Sequence, residues 1–373
     1  MSAEALHGWL GFNRVRGVRW EHVRALIEHY GSIEAAWAQL QSLPREVKLS
    51  KPTLEVLLRE RQIYDPEADL RRVQRLGVRL LPITAPDYPP LLRQISDPPI
   101  LLYVRGTLQA ADHNALAVVG TRGATEYGKQ MTAHIVEPLA RYGLTIVSGL
   151  AHGIDAAAHQ AALRAGGRTI AVLPCGIDRL FPADQSELAK RIAANGGLIS
   201  EFPLGTKAER HNFRQRNRVV SGLAHGVLIV EAGEQSGALS TVDYALEQGR
   251  EIFAVPGNAL SPASSGTNML IRNGATLTTN AADILEVLMP GTARSLPVAP
   301  AHPHKPAAYK PANADEARVL RCLQADQAQH IDEIVRRSGL AASQVSAVLT
   351  ILEVKGIVCQ KGAQCYSLAL TAQ

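Results

Sequence analysis

Between residues 115 and 290 the chain alternates short apolar runs with helical stretches, and no other feature constrains the fold more. The runs fall at 115–119, 144–147, 169–173, 197–200, 226–230 and 251–255. Helical patterns at 129–141, 154–165, 186–194 and 240–248 separate most of them. Strands that are apolar along their whole length belong in a sheet covered on both faces, and helices between them make that sheet parallel. This part therefore reads as a doubly wound, mostly parallel, Rossmann-like α/β domain. In such domains ligands bind beyond the carboxyl ends of the strands.

The loops at those strand ends carry the chemistry. Val118-Val119-Gly120-Thr121-Arg122-Gly123 is not Gly-x-Gly-x-x-Gly, so a dinucleotide fingerprint is unsupported. It remains a glycine turn in which backbone amides can approach a phosphate and Arg122 can add a charge-assisted contact. Ser148-Gly149-Leu150-Ala151-His152-Gly153-Ile154-Asp155 again leads from strand to helix. Its flanks do not match Gly-x-Ser-x-Gly, so Ser148 with His152 makes a poor nucleophile–base pair. His152, Asp155 and His159 share roughly one helical face, a weak metal signal, and packing or capping is the better reading of Asp155. The stretch 231–241 has small residues but lacks the Gly-Lys-Ser/Thr of a phosphate loop. Pro256-Gly257-Asn258 lacks the second glycine and nearby glutamate of a nucleoside-monophosphate phosphoribohydrolase.

Charge matters here through its placement. Overall, 39 Lys/Arg against 34 Asp/Glu give +5 at pH 7, which permits a polyanionic partner without demanding one. Residues 207–218, Lys-Ala-Glu-Arg-His-Asn-Phe-Arg-Gln-Arg-Asn-Arg, hold five basic groups and one acidic group, 5 − 1 = +4. A solvated face is the ordinary reading of such a run. Phe213 among the arginines favours another: a loop with a stacking platform beside phosphate-neutralising charges, as in binders of single-stranded nucleic acid.

The flanks organise themselves around this domain. Residues 1–80 read as a helical domain, with helices at 21–30 and 33–40 and Ser32 as an N-cap. The segment Gly11 to Val18 looks like the connector of small DNA-associated helical domains, and a helical domain that serves packing alone reads equally well. Residues 81–289 form the Rossmann-like domain, with the proline-broken 81–114 as its connector. Residues 290–312 hold six prolines and read as an extended tether. Residues 313–373 read as three helices and a hairpin, a winged helix. The module's net charge is zero, 6 − 6, and its third helix is almost without basic groups. A protein-contact or regulatory role suits it better than operator reading. The four cysteines form no Cys-x-x-Cys pair, though Cys359 and Cys365 are placed to meet across the hairpin. Reduced thiols in a cytosolic protein are the expectation. Neither a signal peptide nor a membrane span is visible in the sequence.

Several of these motifs, in this order, resemble the DNA-processing protein A family (DprA, also called Smf). They are Val119-Gly-Thr-Arg122, Ser148 to Asp155, Val172-Leu-Pro-Cys-Gly176, Ser200-Glu-Phe-Pro203, Phe213-Arg-Gln-Arg-Asn-Arg218, Val230-Glu-Ala232 with Ser236-Gly237, and Val255-Pro-Gly-Asn258. The resemblance implies a sterile-alpha-motif-like (SAM-like) N-terminal domain and a C-terminal winged helix. It implies a bacterial cytoplasmic homodimer, formed through the Rossmann-like domain, that binds and protects single-stranded DNA during natural transformation. It further implies loading of the recombinase RecA, with no catalytic activity, cofactor or metal. Arg122, Arg210 and Phe213 match family positions that touch DNA. Arg214, Arg216, Asn217 and Arg218 share that motif, and family members often have proline at the position of Arg214. Gly120, Ser148, Gly149 and Lys207 complete the expected contact set. Some of the arginines are equally suited to bracing the motif through buried carboxylates. Two other functions stay open: a nucleotide-processing enzyme in the same pocket, and a winged-helix regulator with a ligand-sensing core.

Overall fold

The computed structural model describes residues 2–40, 44, 47–290, 311–323, 328–355, 357–360 and 362–368. The proline-rich tether lies outside the described residues except at its ends, 290 and 311–312. The chain divides into two compact units, Met1–Arg294 and Ser295–Gln373.

Five helices open the first unit: α1 (Ala3–Arg14), α2 (Trp20–Tyr30), α3 (Ile33–Gln39), α4 (Lys51–Ile63) and α5 (Pro66–Arg75). Their starts are written locally. Ser2, Ser32, Ser50 and Asp65 each accept from the amide three residues on, removing one orphan donor per helix. Trp9, Leu10, Phe12, Val23 and Leu26 are buried, and they join the same apolar core as the sheet. So the N-terminal helices pack onto the α/β layer as part of one body.

The stretch read as a connector contributes two strands. β1 (Arg79–Pro82) is followed by the single turn α6 (Pro90–Arg93) and by β2 (Leu101–Gly106). β2 lies antiparallel to β1 on one side and to a later strand on the other. Prolines on both sides hide these short runs from pattern reading, yet Tyr88 and Tyr103 are among the largest fully buried side chains. The Tyr88 hydroxyl donates to the Pro99 carbonyl at 2.7 Å.

The alternating region then runs β3 (Ala115–Val119), α7 (Glu126–Tyr142), β4 (Thr145–Ser148), α8 (Ile154–Arg164), β5 (Thr169–Val172), α9 (Ser186–Asn195) and β6 (Gly197–Ser200). It continues with α10 (Arg210–Gly222), β7 (Gly226–Ile229), α11 (Leu239–Glu247), β8 (Glu251–Ala254), α12 (Ser265–Arg272), β9 (Thr276–Leu277) and α13 (Ala281–Leu288). The nine strands are ordered β1-β2-β6-β5-β4-β3-β7-β8-β9, with every pair from β6 to β9 parallel. Sequence order runs outward from β3 in both directions. The topological switch point therefore lies at the carboxyl ends of β3 and β7, where such folds bind ligands.

The second unit holds α14 (Ala314–Arg321), β10 (Gln329–His330), α15 (Ile331–Ser338), α16 (Ala342–Val354), β11 (Val358–Gln360) and β12 (Cys365–Leu368). This is a winged helix with its own core of Val319, Ile334, Val345, Leu349, Leu352 and Val358. The two wing cysteines do not face each other. The register sets Cys359 opposite Ser367, because β11 and β12 pair around Gln360 and Tyr366. All four cysteines are free. Among the described residues, no helix is long and apolar enough to cross a membrane.

Candidate nucleic-acid interface

The basic stretch expected as a loop is a helix. α10 begins at Arg210, and the Asn212 amide donates to the Lys207 carbonyl at 3.0 Å to fix its entry. The 3.6-residue period then sorts the motif by face. Arg210 and Arg214 are exposed, Phe213 and Asn217 half-buried, and Asn212, Arg216 and Arg218 buried.

The exposed face of α10 lines a cleft of about 950 Å³ at the switch point. Gly120 and Arg122 come from the β3 loop, Ala151 and Asp155 from the turn into α8, and Glu234 to Thr241 from the segment entering α11. The Arg122 guanidinium sits over the Phe213 ring, 4.9 Å from its centroid. Phe181 meets Phe213 edge-on at 5.7 Å and is 42% exposed. The amide of Asn217 donates to the Ser240 hydroxyl at 2.9 Å and joins α10 to α11 across the cleft. Arg122, Arg210 and Arg214 are exposed without a carboxylate partner among the described residues. The opposite wall carries the exposed acids Glu234 and Asp243.

Four expected contact residues need correction. Ser148 is fully buried, and its hydroxyl donates to the Val118 carbonyl at 2.6 Å, so it ties β4 to β3. Arg218 is buried in a pair with Glu201 at 2.5 Å and approaches Asp97 at 3.5 Å. Arg216 reaches only the cleft floor: it is buried and donates to the Val172 carbonyl at 2.8 Å. Burial pushes the Arg216 guanidinium pKa down, and nearby Asp155 opposes that push. Gly149 serves Arg216, because a Cβ there would overlap the guanidinium. Arg216 is turned inward because α10 packs on the sheet and positions two residues from Arg214 face the core, whereas Arg218, one turn beyond Arg214, is covered where Glu201 and Asp97 reach it. Lys207 is exposed ahead of α10 and lies outside the cleft lining.

The helix starts are also not open to phosphate, contrary to expectation. The buried Glu231 carboxylate accepts from the Thr125 amide at 2.8 Å and the Thr125 hydroxyl at 2.6 Å, at the N-terminus of α7. Gly128 has no Cβ that would strike it. Asp155 accepts from the Ala151 amide at 3.3 Å in the turn before α8, and burial raises its pKa against the pull of Arg216. Internal carboxylates thus fill the anion positions where this fold can hold a nucleotide's phosphates. His159 is buried against Thr169 at 2.7 Å. No group of three metal-ligating side chains is present among the described residues.

Phe181 escaped sequence reasoning. It sits in the irregular loop after β5, seventeen positions beyond Arg164 at the end of α8, where only the fold brings it to Phe213. An aromatic between Leu180 and Pro182 was the one available signal.

Fold and site together define a Rossmann-like protein with a cationic, aromatic-lined cleft at its switch point, carrying a winged helix on the same chain. The chain belongs to the DNA recombination-mediator protein A family, whose model matches residues 79–289, and a DprA winged-helix model matches residues 303–364. It is 39% identical to protein Smf of Escherichia coli over 86% of this chain and 87% of that one. The crystal structure of DNA processing protein A from Streptococcus pneumoniae superposes with a TM-score of 0.65 at 31% identity, over 76% of this chain and 97% of that one. A Helicobacter pylori DNA processing protein A, described for its single-stranded DNA binding mode, matches with a TM-score of 0.50 at 32% identity, over 54% of this chain and 92% of that one.

Proposed function

We propose that this protein binds and protects single-stranded DNA in the cleft beside α10 and loads RecA onto it during natural transformation. It acts as a cytoplasmic homodimer joined through the Rossmann-like domain, and without catalytic turnover. One observation carries the DNA reading: Arg122, Arg210 and Arg214, without carboxylate partners among the described residues, surround the exposed Phe181 and the half-buried Phe213. Cations hold the phosphates and the rings stack on bases, a combination indifferent to sequence because every base has a π face. The single-stranded DNA binding described for the Helicobacter pylori relative supports it. The carboxylates of Glu231 and Asp155 at the helix starts weigh against a nucleotide-processing enzyme. The absence of Lys and Arg from α16 favours a protein-contact role for the winged helix over operator reading.

The test is a titration of oligothymidylate with wild type and Arg122→Ala across salt concentrations, with RecA filament formation followed in parallel. Binding should weaken with salt, with a slope of roughly −0.7 per phosphate neutralised. Salt-independent binding, or equal preference for duplex DNA, defeats the DNA reading. Unchanged RecA filament growth on bound strands defeats the loading role.

A further inference from the structure

A second groove, of about 720 Å³, lies on the other side of α10, between that helix and the turn joining α1 to α2. It lies within the first compact unit. The Asn13 amide of α1 donates to the Glu201 carbonyl at 3.0 Å, and Arg72 of α5 pairs with Asp178 at 3.1 Å. The N-terminal helices are thereby fastened beside the carboxyl ends of the strands.

The groove's rim carries two arginines, Arg16 and Arg214, without a carboxylate partner among the described residues, while Arg14 pairs with Glu60 and Asp69. Arg16 of the α1–α2 turn is exposed, and its guanidinium meets His211 of α10 at 3.2 Å. A guanidinium set against an imidazole gains no ion pair, so the Arg16 charge remains available to an anion. His211 lies 3.6 Å from Glu209, and Arg19 lies 3.9 Å from Asp97. The acids at the floor, Glu201 and Asp97, are already countered by Arg218.

Arg214 connects the two sites, because it lines both. The helical period explains this. Arg210, Phe213, Arg214 and Asn217 make one stripe of α10, and His211, Arg214, Gln215 and Arg218 the neighbouring one. Arg214 stands on the ridge between them. Its guanidinium is exposed and has no carboxylate partner among the described residues.

We infer that a single DNA strand held in the cleft passes over Arg214 into this groove, where Arg16 of the N-terminal helical region takes a further phosphate. This rests on the proposed DNA reading and extends it: the helical region becomes part of the binding surface, and the occupied length of strand exceeds what the cleft alone holds. Single-stranded sites of about 4–16 nucleotides are usual. A short strand should therefore fill the cleft only, and a long one both sites.

The experiment uses the full chain and two oligothymidylates, one of about 5 and one of about 16 nucleotides. Arg16→Ala, and more strongly Arg16→Glu, should weaken the long strand several-fold, lower its salt slope by about 0.7, and leave the short strand unchanged. Phe213→Ala should weaken both lengths. Arg16 is exposed and, among the described residues, hydrogen-bonded to His211 alone, so an unchanged unfolding midpoint checks that the variant is folded. If Arg16→Glu binds both strands like wild type while Phe213→Ala weakens both, the extension is overturned and the cleft stands. Equal weakening of both lengths by Arg16→Ala also overturns the extension, since Arg16 would then act within the cleft. If neither Phe213→Ala nor Arg16→Glu changes binding, the cleft reading falls together with the extension.

Discussion

Arg214 and Arg218 are one helical turn apart on α10, yet they should respond to truncation in opposite ways. Arg218 is 8% exposed, and its guanidinium holds Glu201 at 2.5 Å with Asp97 at 3.5 Å. Glu201 is as buried as its partner, and one of its carboxylate oxygens has no hydrogen bond. Arg218→Ala leaves that carboxylate in the core with only the Gln215 amide, at 3.3 Å, for company. Breaking a buried pair from one side costs about 3–5 kcal/mol. The penalty should also depend on pH. Burial already pushes the Glu201 pKa up, and Arg218 pulls it back. Without Arg218 the folded state holds a proton on Glu201 at pH values where the unfolded state has released it. Stability then falls as pH rises above the ordinary carboxylate range, so the penalty is smallest in mild acid and largest from neutrality upward. Urea unfolding followed by tryptophan fluorescence reads this cleanly, because Trp9, Trp20 and Trp37 are the chain's three tryptophans and all lie in the first unit. Arg214→Ala, at an exposed site without a carboxylate partner, should stay within about 0.5 kcal/mol of wild type while weakening DNA binding. An Arg218→Ala protein with wild-type stability at neutral pH and lost DNA affinity would refute the bracing role and move Arg218 to the binding surface.

Three further outcomes follow from the same structure. Phe213→Ala should weaken oligothymidylate binding by about 1–3 kcal/mol, and Phe181→Ala should act in the same direction. Fluorescence anisotropy decides, and wild-type affinity in both variants removes the aromatic pair from the site. Glu231→Ala strips the Thr125 amide and hydroxyl of their acceptor and should cost about 1–3 kcal/mol of stability. An unchanged denaturation midpoint would mean that water replaces the carboxylate without loss. His159 is buried with its pKa lowered to about 3, chiefly by burial, with Arg216 adding to the effect. An unfolded histidine takes up its proton near pH 6.5, so stability is full above that value and declines as pH falls toward 3, by about 1.4 kcal/mol per unit. His159→Gln should flatten this acid limb, and an identical pH profile would acquit His159.

Much of the architecture was legible in the order of residues. Apolar runs bounded by helices named β3 through β8 to within a residue or so, because a strand covered on both faces must be apolar along its whole length. Ser32 announced α3, since a hydroxyl before a helix satisfies an orphan amide by local geometry alone. β1 and β2 were not legible. Prolines surround them, β1 pairs with β2 across about twenty residues, and the pairing of β2 with β6 is a contact across nearly a hundred.

At the site, the sequence by itself determined the chemistry available: a dense basic stretch around Phe213, glycine turns after β3 and β4, and a chain long enough for a covered sheet and a winged helix. Only the tertiary structure decided which of those groups face solvent. Packing α10 onto the sheet buried Arg216 and Arg218 against carbonyls and carboxylates, and left Arg210 and Arg214 outside. The same folding turned Glu231 and Asp155 onto the helix starts and brought Phe181 to Phe213. Residue order specifies charge and local hydrogen bonding. Whether a charge is spent inside or offered outside depends on which distant partner reaches it, and only the folded chain contains that information.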